Sequence, residues 1–268
     1  VIQYFLLTTK PYIEPFTIET MRVISVASGK GGVGKTTTVA NLGIILASKY
    51  KKNVILVDCN ITTPHLGLYM GIDHHPVTLN HVLKGKARVS DALYPHSSGA
   101  KVMPSSLALK ELDGVDVTNM KFVMQKIKKE YPETDFILLD CAPGLGREAM
   151  AGMRSSEEIL YITTPYFPII VDMIKCNQVA NELGLKKVGA IINMKKNNSH
   201  ELSNMEIEHI AEIEIIGSVP HHQDILKSLH KRIPVSIHSP HSIASIEFER
   251  IAAKIAGEKV PMGGFVGV

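Results

Sequence analysis

Residues 28–38 read SGKGGVGKTTT, directly after the apolar run VISVA and directly before the helix-like run VANLGIILA. The pattern G-x-x-x-x-G-K-[ST] is met within this stretch by Gly29, Gly34, Lys35 and Thr36. A glycine-rich loop between a strand and a helix lets backbone N–H groups surround a polyphosphate, and the helix N-terminus adds positive charge. The stretch therefore predicts a phosphate-binding loop rather than a turn without a ligand.

All nine residues from 29 to 37 are candidate contacts for a nucleotide, because the backbone of such a loop wraps the phosphates. They are Gly29, Lys30, Gly31, Gly32, Val33, Gly34, Lys35, Thr36 and Thr37. The Lys35 ammonium is expected to reach the β and γ phosphates and to act in catalysis. The Thr36 hydroxyl is expected to bind Mg²⁺, which keeps several waters and takes few protein ligands.

Composition limits the class of protein. The 268 residues are 45% apolar and 21% charged, which suits one globular domain with a sizeable core. A formal charge of +3 leaves no strong nucleic-acid footprint. The cysteines at 59, 141 and 176 form no C-x-x-C pair, which argues against a thiolate metal site and favours a reducing, cytoplasmic location. No apolar run approaches the roughly 18 residues that a membrane span requires.

The chain divides into three predicted parts. Residues 1–20 lack the basic start and long apolar centre of a secretory signal, and we expect them to be a peripheral extension. Residues 21–256 form the predicted nucleotide-binding domain. Residues 257–268, GEKVPMGGFVGV, are expected to be a flexible tail, because proline and glycine disfavour a helix.

Short β-branched runs alternate with amphipathic segments of helical length through the predicted domain. This alternation predicts an α/β fold with a doubly wound, mostly parallel sheet flanked by helices in three layers. The predicted strands are RVISVAS, NVILVDC, AKVMPS, DFILLDC, EILYITT, KKVGAIIN and IEIIGSV. Ligands of such sheets bind outside the carboxyl ends of the strands.

Two aspartates come at the ends of predicted strands, and both are expected to face the crevice of the phosphate loop. Asp140 is predicted to hold the Mg²⁺ shell through water, and Asp58 is a candidate for metal contact and catalysis. The alternative for each is a strand-end carboxylate that caps the next turn. After Asp140, Gly144 is a further candidate contact for the nucleotide, and Gly144 and Gly146 give backbone freedom to a segment that would respond to a γ-phosphate.

Six stretches occur in the order typical of MinD and ParA type ATPases, which the chain resembles from about Met21 to Ala256. They are KGGVGKTTT, VDCNITTPHLGLYMG, VTLNHVLKGKARVSDALY, FILLDCAPGLG, INMKK and GSVPHHQ. The third stretch is similar to the MinD branch of archaea and bacteria. The resemblance implies a P-loop NTPase fold with a variant Walker A loop, ATP and ADP as ligands together with Mg²⁺, and ATP hydrolysis.

The resemblance also implies a homodimer when ATP is bound, in which Lys30 of each subunit crosses to the partner's ATP and acts in catalysis. Asn193 matches the family position that reads the adenine edge, and Pro220 matches the loop on the other side of the base. The alternatives are a solvated lysine at position 30 and a strand-end turn residue at position 193.

The chain departs from the family pattern at three places. Asn60 stands where the family usually has an aspartate that positions the attacking water, so slow hydrolysis is expected from a neutral amide in that place. Tyr166 stands where MinD proteins often have a glutamate near the dimer interface. The tail lacks the basic amphipathic helix with which bacterial MinD binds lipid, and membrane binding through it is not expected.

Histidine pairs and lysine clusters suggest other sites. The pairs His74–His75 and His221–His222 lack the spacing that would place two imidazoles on one metal ion, and we expect them on the surface. Lysines near 186, 195 and 227 form a candidate DNA-binding patch, but no aromatic residues are interleaved with them. Solvated helix ends are therefore favoured over DNA binding.

The sequence favours a MinD-type switch that binds MgATP, hydrolyses it slowly and dimerises. Such a switch would act in spatial organisation, for example in placing the cell-division site, through an unidentified protein partner. The alternatives are a ParA-like DNA-partitioning ATPase, a nucleotide-binding regulator with little turnover, and a metal-cluster carrier on the same scaffold. The carrier would need paired cysteines at a dimer axis.

Overall fold

The computed structural model describes residues 21–261, so the predicted extension at 1–20 and residues 262–268 of the predicted tail lie outside the described residues. The strands are β1 (Arg22–Ala27), β2 (Val54–Cys59), β3 (Tyr94–Pro95), β4 (Lys101–Met103), β5 (Phe136–Cys141), β6 (Glu158–Thr163), β7 (Lys186–Lys195) and β8 (Ile215–Pro220). The helices are α1 (Lys35–Ser48), α2 (Leu66–Tyr69), α3 (Leu79–Leu83), α4 (Met120–Glu130), α5 (Arg147–Met153), α6 (Phe167–Glu182), α7 (Asn204–Ala211), α8 (Gln223–Lys231), α9 (Val235–His238) and α10 (Ile243–Ala256).

All eight of these strands belong to one sheet, in the order β3-β4-β2-β5-β1-β6-β7-β8. The edge strand β3 is antiparallel to β4, and the other neighbouring pairs are parallel. Every residue of β2, β5 and β6 is buried, because helices cover both faces of the sheet. The predicted α/β fold with a mostly parallel sheet is confirmed.

Helices form a layer on each face of the sheet. On one face α1 and α10 pack over the central strands, with Leu42 and Phe248 fully buried. On the other face α3, α4 and α5 cover β2 and β5, while α6 and α7 cover β6 and β7. Alternate residues of β5 therefore enter different cores, Leu138 on the first face and Leu139 on the second.

Four elements were not among the predicted ones: β3, α5 and the four-residue helices α2 and α9, which are too short to show a helical period. The two-residue strand β3 is too short for a periodic pattern, and α5 follows the CAPGLG segment without a side-chain cap. Gly146 precedes α5 with φ −69° and ψ 175°, a conformation open to other residues. The backbone freedom predicted for Gly146 is therefore not used here. Between residues 21 and 261 the structure has no helix that is both long enough and apolar enough to span a bilayer.

Candidate nucleotide-binding site

The phosphate loop connects the buried central strand β1 to α1, which begins at Lys35. Gly34 precedes the helix with φ +93°, a left-handed conformation that favours glycine. A Cβ atom on Gly34 would also lie only 2.1 Å from Nδ2 of Asn193. That amide donates to the Val33 carbonyl at 2.8 Å, so the loop and the end of β7 fit together only with glycine at position 34.

Ser28 forms hydrogen bonds that link both ends of the phosphate loop. Its hydroxyl donates to the Lys30 carbonyl at 2.6 Å and accepts from Lys35 Nζ at 2.8 Å. The Ser28 carbonyl accepts from the backbone N–H of Gly144 at 3.0 Å. The segment that follows β5 is thereby hydrogen-bonded to the start of the phosphate loop.

The Lys35 side chain is buried beside Asp140 at the base of the loop. Burial lowers the pKa of Lys35, and the Asp140 carboxylate opposes that effect. Burial also raises the pKa of Asp140 to about 6, against the lowering effects of the Thr36 hydroxyl and the Lys35 charge. Both carboxylate oxygens of Asp140 are buried, and no described residue hydrogen-bonds to them with ordinary geometry; the Thr36 hydroxyl is near enough to lower the pKa of Asp140 but does not complete such a bond.

Asp140 and Thr36 offer the kind of oxygen ligands that a magnesium ion takes, directly or through water. A buried carboxylate without a hydrogen-bond partner is costly unless a cation or ordered water satisfies it. Thr36 adds a hydroxyl on the adjacent helix turn, and Mg²⁺ commonly combines one or two such oxygens with water and phosphate oxygens. Asp140 and Thr36 would hold Mg²⁺, which would neutralise phosphate charge, while Lys35 supplies a fixed positive charge.

Asp58 lies beside Asp140, since the two residues are register partners on β2 and β5. Burial raises the pKa of Asp58, and the charge of Asp140 adds to this effect. The Asp58 carboxylate accepts from the backbone N–H groups of Leu66 at 2.9 Å and Asn60 at 3.2 Å. Its oxygens are thus used to hold both ends of the 60–66 loop, and contact between Asp58 and a metal ion stays a prediction.

Asn60 lies in that loop and faces the cavity above the phosphate loop. Its Nδ2 donates to the Thr63 carbonyl at 2.6 Å, and its Oδ1 accepts from the Thr63 hydroxyl at 3.1 Å. This reciprocal pair fixes the orientation of the amide. Asn60 is therefore placed to hydrogen-bond a polar group in the cavity without offering a negative charge.

The cavity has a volume of about 390 Å³ and opens beside the phosphate loop. Its lining combines backbone of the loop, polar side chains of the 60–66 loop and side chains from β7 and α8. The lining residues are Gly31, Gly32, Gly34, Lys35, Thr36, Thr37, Asn60, Thr63, His65, Tyr69, Cys141, Pro143, Met194 and Leu229. Six of the nine predicted loop residues and Asn60 therefore line one space, whereas the predicted contacts Gly29, Lys30 and Val33 do not line it.

Asn193 and Pro220 do not line this cavity; Met194 and Leu229 lie there instead. Asn193 is buried behind the loop, where its Oδ1 has no hydrogen-bond partner among the described residues. Pro220 ends β8, with its neighbour His221 bonded through its N–H to the Lys195 carbonyl at 2.9 Å. The base-reading roles of Asn193 and Pro220 stay predictions.

Two predicted dimer residues lie at the surface on the same edge of the sheet. Lys30 is exposed and its ammonium makes no ion pair with a described residue. Tyr166 is 37% exposed at the start of α6, next to Phe167, which is 57% exposed. Gly144, predicted to contact nucleotide, has φ +76° and lies against the loop through its bond to Ser28.

Sequence reasoning missed several residues that line the cavity or hold it. His65 and Tyr69 lie in the VDCNITTPHLGLYMG stretch, whose position after β2 was the available signal. Met194 directly follows the predicted base-reading residue. No local signal indicated Glu148 of α5, whose carboxylate accepts from the N–H and the hydroxyl of Thr62.

Thiol and imidazole groups form no metal centre in the part of the chain that the structure covers. The three cysteines are free and buried. Residues 21–261 contain no group of three or more His, Cys, Asp or Glu side chains able to hold an ion. Burial raises the pKa of Cys59 and Cys141, which disfavours the thiolate that a metal cluster requires.

Comparison with known proteins agrees with this geometry. A family model described as "ParA: NUBPL iron-transfer P-loop NTPase" matches residues 19–256. An ATP-binding protein of Methanocaldococcus jannaschii is 36% identical over 236 residues, covering 88% of each chain. The septum site-determining protein MinD of Thermotoga maritima is 34% identical over 250 residues, covering 90% of each chain.

A solved structure has the same fold. It is MinD of Pyrococcus horikoshii complexed with Mg-ADP, which superposes with a TM-score of 0.84 at 30% identity and covers 88% of this chain and 96% of that one. The chain belongs to the ParA/MinD family of P-loop NTPases.

Proposed function

We propose that the protein is a MinD-type switch that binds MgATP, forms a homodimer in that state and hydrolyses the nucleotide slowly. The observation that carries the proposal is the buried Asp140 carboxylate, which has no hydrogen-bond partner among residues 21–261 and lies beside Thr36 and Lys35 at the base of the phosphate loop. A magnesium ion on phosphate oxygens would satisfy this carboxylate. The Mg-ADP complex of the Pyrococcus relative supports the same ligand here.

Slow hydrolysis follows from the groups available to the attacking water. Phosphoryl transfer depends mainly on positioning and electrostatic stabilisation, which Lys35 and the loop N–H groups would supply. Asn60 would orient the water by accepting its hydrogen bond, but a neutral amide does not take its proton. The proposal therefore combines tight nucleotide binding with a low turnover rate.

The homodimer would form across the edge of the sheet that bears the phosphate loop. Lys30 is an exposed cation at that edge without an ion-pair partner among residues 21–261, and a second subunit's phosphates would provide one. Exposed Tyr166 and Phe167 would add apolar contact. We propose that a partner protein reads the ATP-bound dimer, in a spatial task such as division-site placement.

The buried thiols argue against the metal-cluster carrier. Such a carrier needs cysteines exposed at a dimer axis, whereas Cys59, Cys141 and Cys176 are each at most 1% exposed. The iron-transfer part of the family description is therefore not proposed for this chain.

Calorimetric titration with MgATP tests the nucleotide site. Lys35→Ala should weaken binding by at least tenfold, because it removes a charge-assisted contact to phosphate. Lys129→Ala, at the exposed end of α4, is the matched control and should bind like wild type. Equal affinity of wild type and Lys35→Ala would show that the loop is not a phosphate site.

A further inference from the structure

The carboxylate of Glu148, on α5, hydrogen-bonds to Thr62 in the 60–66 loop. Glu148 Oε2 accepts from the Thr62 backbone N–H at 3.2 Å, and Glu148 Oε1 accepts from the Thr62 hydroxyl. The two residues are 86 positions apart in sequence. Glu148 makes no ion pair with any residue between 21 and 261, so Thr62 is the partner of its carboxylate there.

The contact joins two segments that both reach the nucleotide cavity. On one side, Thr62 is followed by Thr63, whose hydroxyl and carbonyl hold the Asn60 amide. On the other side, α5 directly continues the segment 142–146, which is bonded to the phosphate loop through Gly144. A continuous series of hydrogen bonds and short chain links thus runs from the phosphate loop to Asn60.

We propose that Glu148 is a positioning residue for Asn60, acting through Thr62. The loop has fixed ends, since Asp58 holds Asn60 and Leu66, but its middle is exposed at Thr62 and Thr63. Among the residues that the structure describes, Glu148 is the one outside the loop whose side chain hydrogen-bonds to this exposed middle. Because it comes from the helix that follows segment 142–146, a shift of that segment on nucleotide binding moves the loop and the Asn60 amide with it.

This role rests on the proposed function, because a positioned amide matters only if Asn60 orients the attacking water. A purely structural contact would stabilise the fold without changing the rate of hydrolysis in the bound complex. The positioning role instead predicts a lower hydrolysis rate at unchanged affinity for MgATP, since Glu148 does not line the cavity.

Two pairs of variants test the contact. Glu148→Ala removes both acceptors, whereas Glu148→Gln keeps one acceptor oxygen. Thr62→Val removes the hydroxyl at constant shape, whereas Thr62→Ser keeps it. The matched control is Asp116→Ala, because Asp116 Oδ1 also accepts from the N–H and the hydroxyl of a threonine, Thr118, at 3.0 and 2.7 Å, but in a local contact that does not involve the 60–66 loop.

Three measurements are made on each variant: MgATP affinity, single-turnover hydrolysis, and amide hydrogen exchange of residues 60–66 without nucleotide. Glu148→Ala and Thr62→Val should hydrolyse about fivefold more slowly, on the scale of one lost hydrogen bond. Affinity should stay within about twofold, and exchange in the loop should accelerate. Glu148→Gln should lie between, and Thr62→Ser and Asp116→Ala should match the wild-type rate.

The double variant Thr62→Val/Glu148→Ala should be no slower than Glu148→Ala, since both changes remove the same contact. If the wild type hydrolyses ATP and Glu148→Ala hydrolyses it at the same rate, the positioning role is wrong while the proposed hydrolysis stands. Equal effects of Thr62→Ser and Thr62→Val would overturn it as well, because the hydroxyl would then be irrelevant. Wild-type protein that binds MgATP without any turnover would overturn the proposed hydrolysis itself.

Discussion

Replacing Asp140 with asparagine should stabilise the nucleotide-free protein while abolishing its response to magnesium nucleotide. Burial raises the pKa of Asp140 from 3.8 to about 6, and this difference corresponds to about 3 kcal/mol. That is the upper limit of the free energy by which the ionised carboxylate destabilises the fold at pH 7.5. An amide of the same shape removes the charge but still buries polar atoms, so a gain of about 1–3 kcal/mol is expected.

The stability that Asp140→Asn gains over the wild type should be smaller at acidic pH than at pH 7.5. Because the folded pKa is raised, the contribution of Asp140 to wild-type stability is most favourable below about pH 4 and is lost as the pH rises from there through about 6. At pH 5 the difference in unfolding free energy between Asp140→Asn and the wild type should therefore be about half of its value at pH 7.5. Urea unfolding of both proteins at the two pH values, with and without MgADP, measures this directly. MgADP should stabilise only the wild type.

Asp58→Asn is the matched control, because Asp58 lies in register with Asp140 but accepts two backbone N–H groups. Its amide N–H₂ would face one of those donors, so this variant should lose about 1–3 kcal/mol. The reasoning fails if Asp140→Asn is less stable than wild type at pH 7.5 and the difference in stability does not change with pH. That result would show that the carboxylate has a structural partner, and it would remove the case for a magnesium site.

Three further outcomes are expected. Asn60→Asp should raise single-turnover hydrolysis by about 5- to 150-fold with MgATP affinity nearly unchanged, and an equal or lower rate would place the residue away from the water. Gly34→Ala should lose MgADP binding in calorimetry, because its Cβ would meet Nδ2 of Asn193 at 2.1 Å; wild-type affinity would mean that the loop can shift. Deleting residues 257–268 should leave liposome flotation with MgATP unchanged, and loss of strong flotation would show that the tail binds lipid.

The parts of the site that lie on consecutive residues were predictable from the sequence. The loop pattern fixes backbone conformation locally, since Gly34 needs a positive φ before α1. Asp140 was predictable because the carboxyl ends of parallel strands meet the loop at one edge of the sheet. The mostly parallel sheet followed from the alternation of buried β-branched runs with helical patterns.

Contacts made between distant segments were not predictable. Glu148 reaches Thr62 across 86 positions, and α5, which bears it, is only seven residues long and has no side-chain cap to mark its start. Asp58 had the same strand-end signal as Asp140, yet its oxygens bond to backbone of the loop that follows it. The sequence pattern predicts that both carboxylates lie at the edge of the sheet, but it does not predict which of them lacks hydrogen-bond partners among the described residues.

The mass of the wild-type protein in MgATP and in MgADP, measured by light scattering, tests the switch most directly. The chain has a mass of 29.4 kDa, so a monomer is expected with MgADP and a particle of about twice that mass with MgATP. Lys30→Ala should stay monomeric in MgATP, because its ammonium is the exposed cation predicted to reach the partner's phosphates. Identical masses in MgATP, in MgADP and with Lys30→Ala would mean that nucleotide does not control assembly and that the protein is not a dimerisation switch.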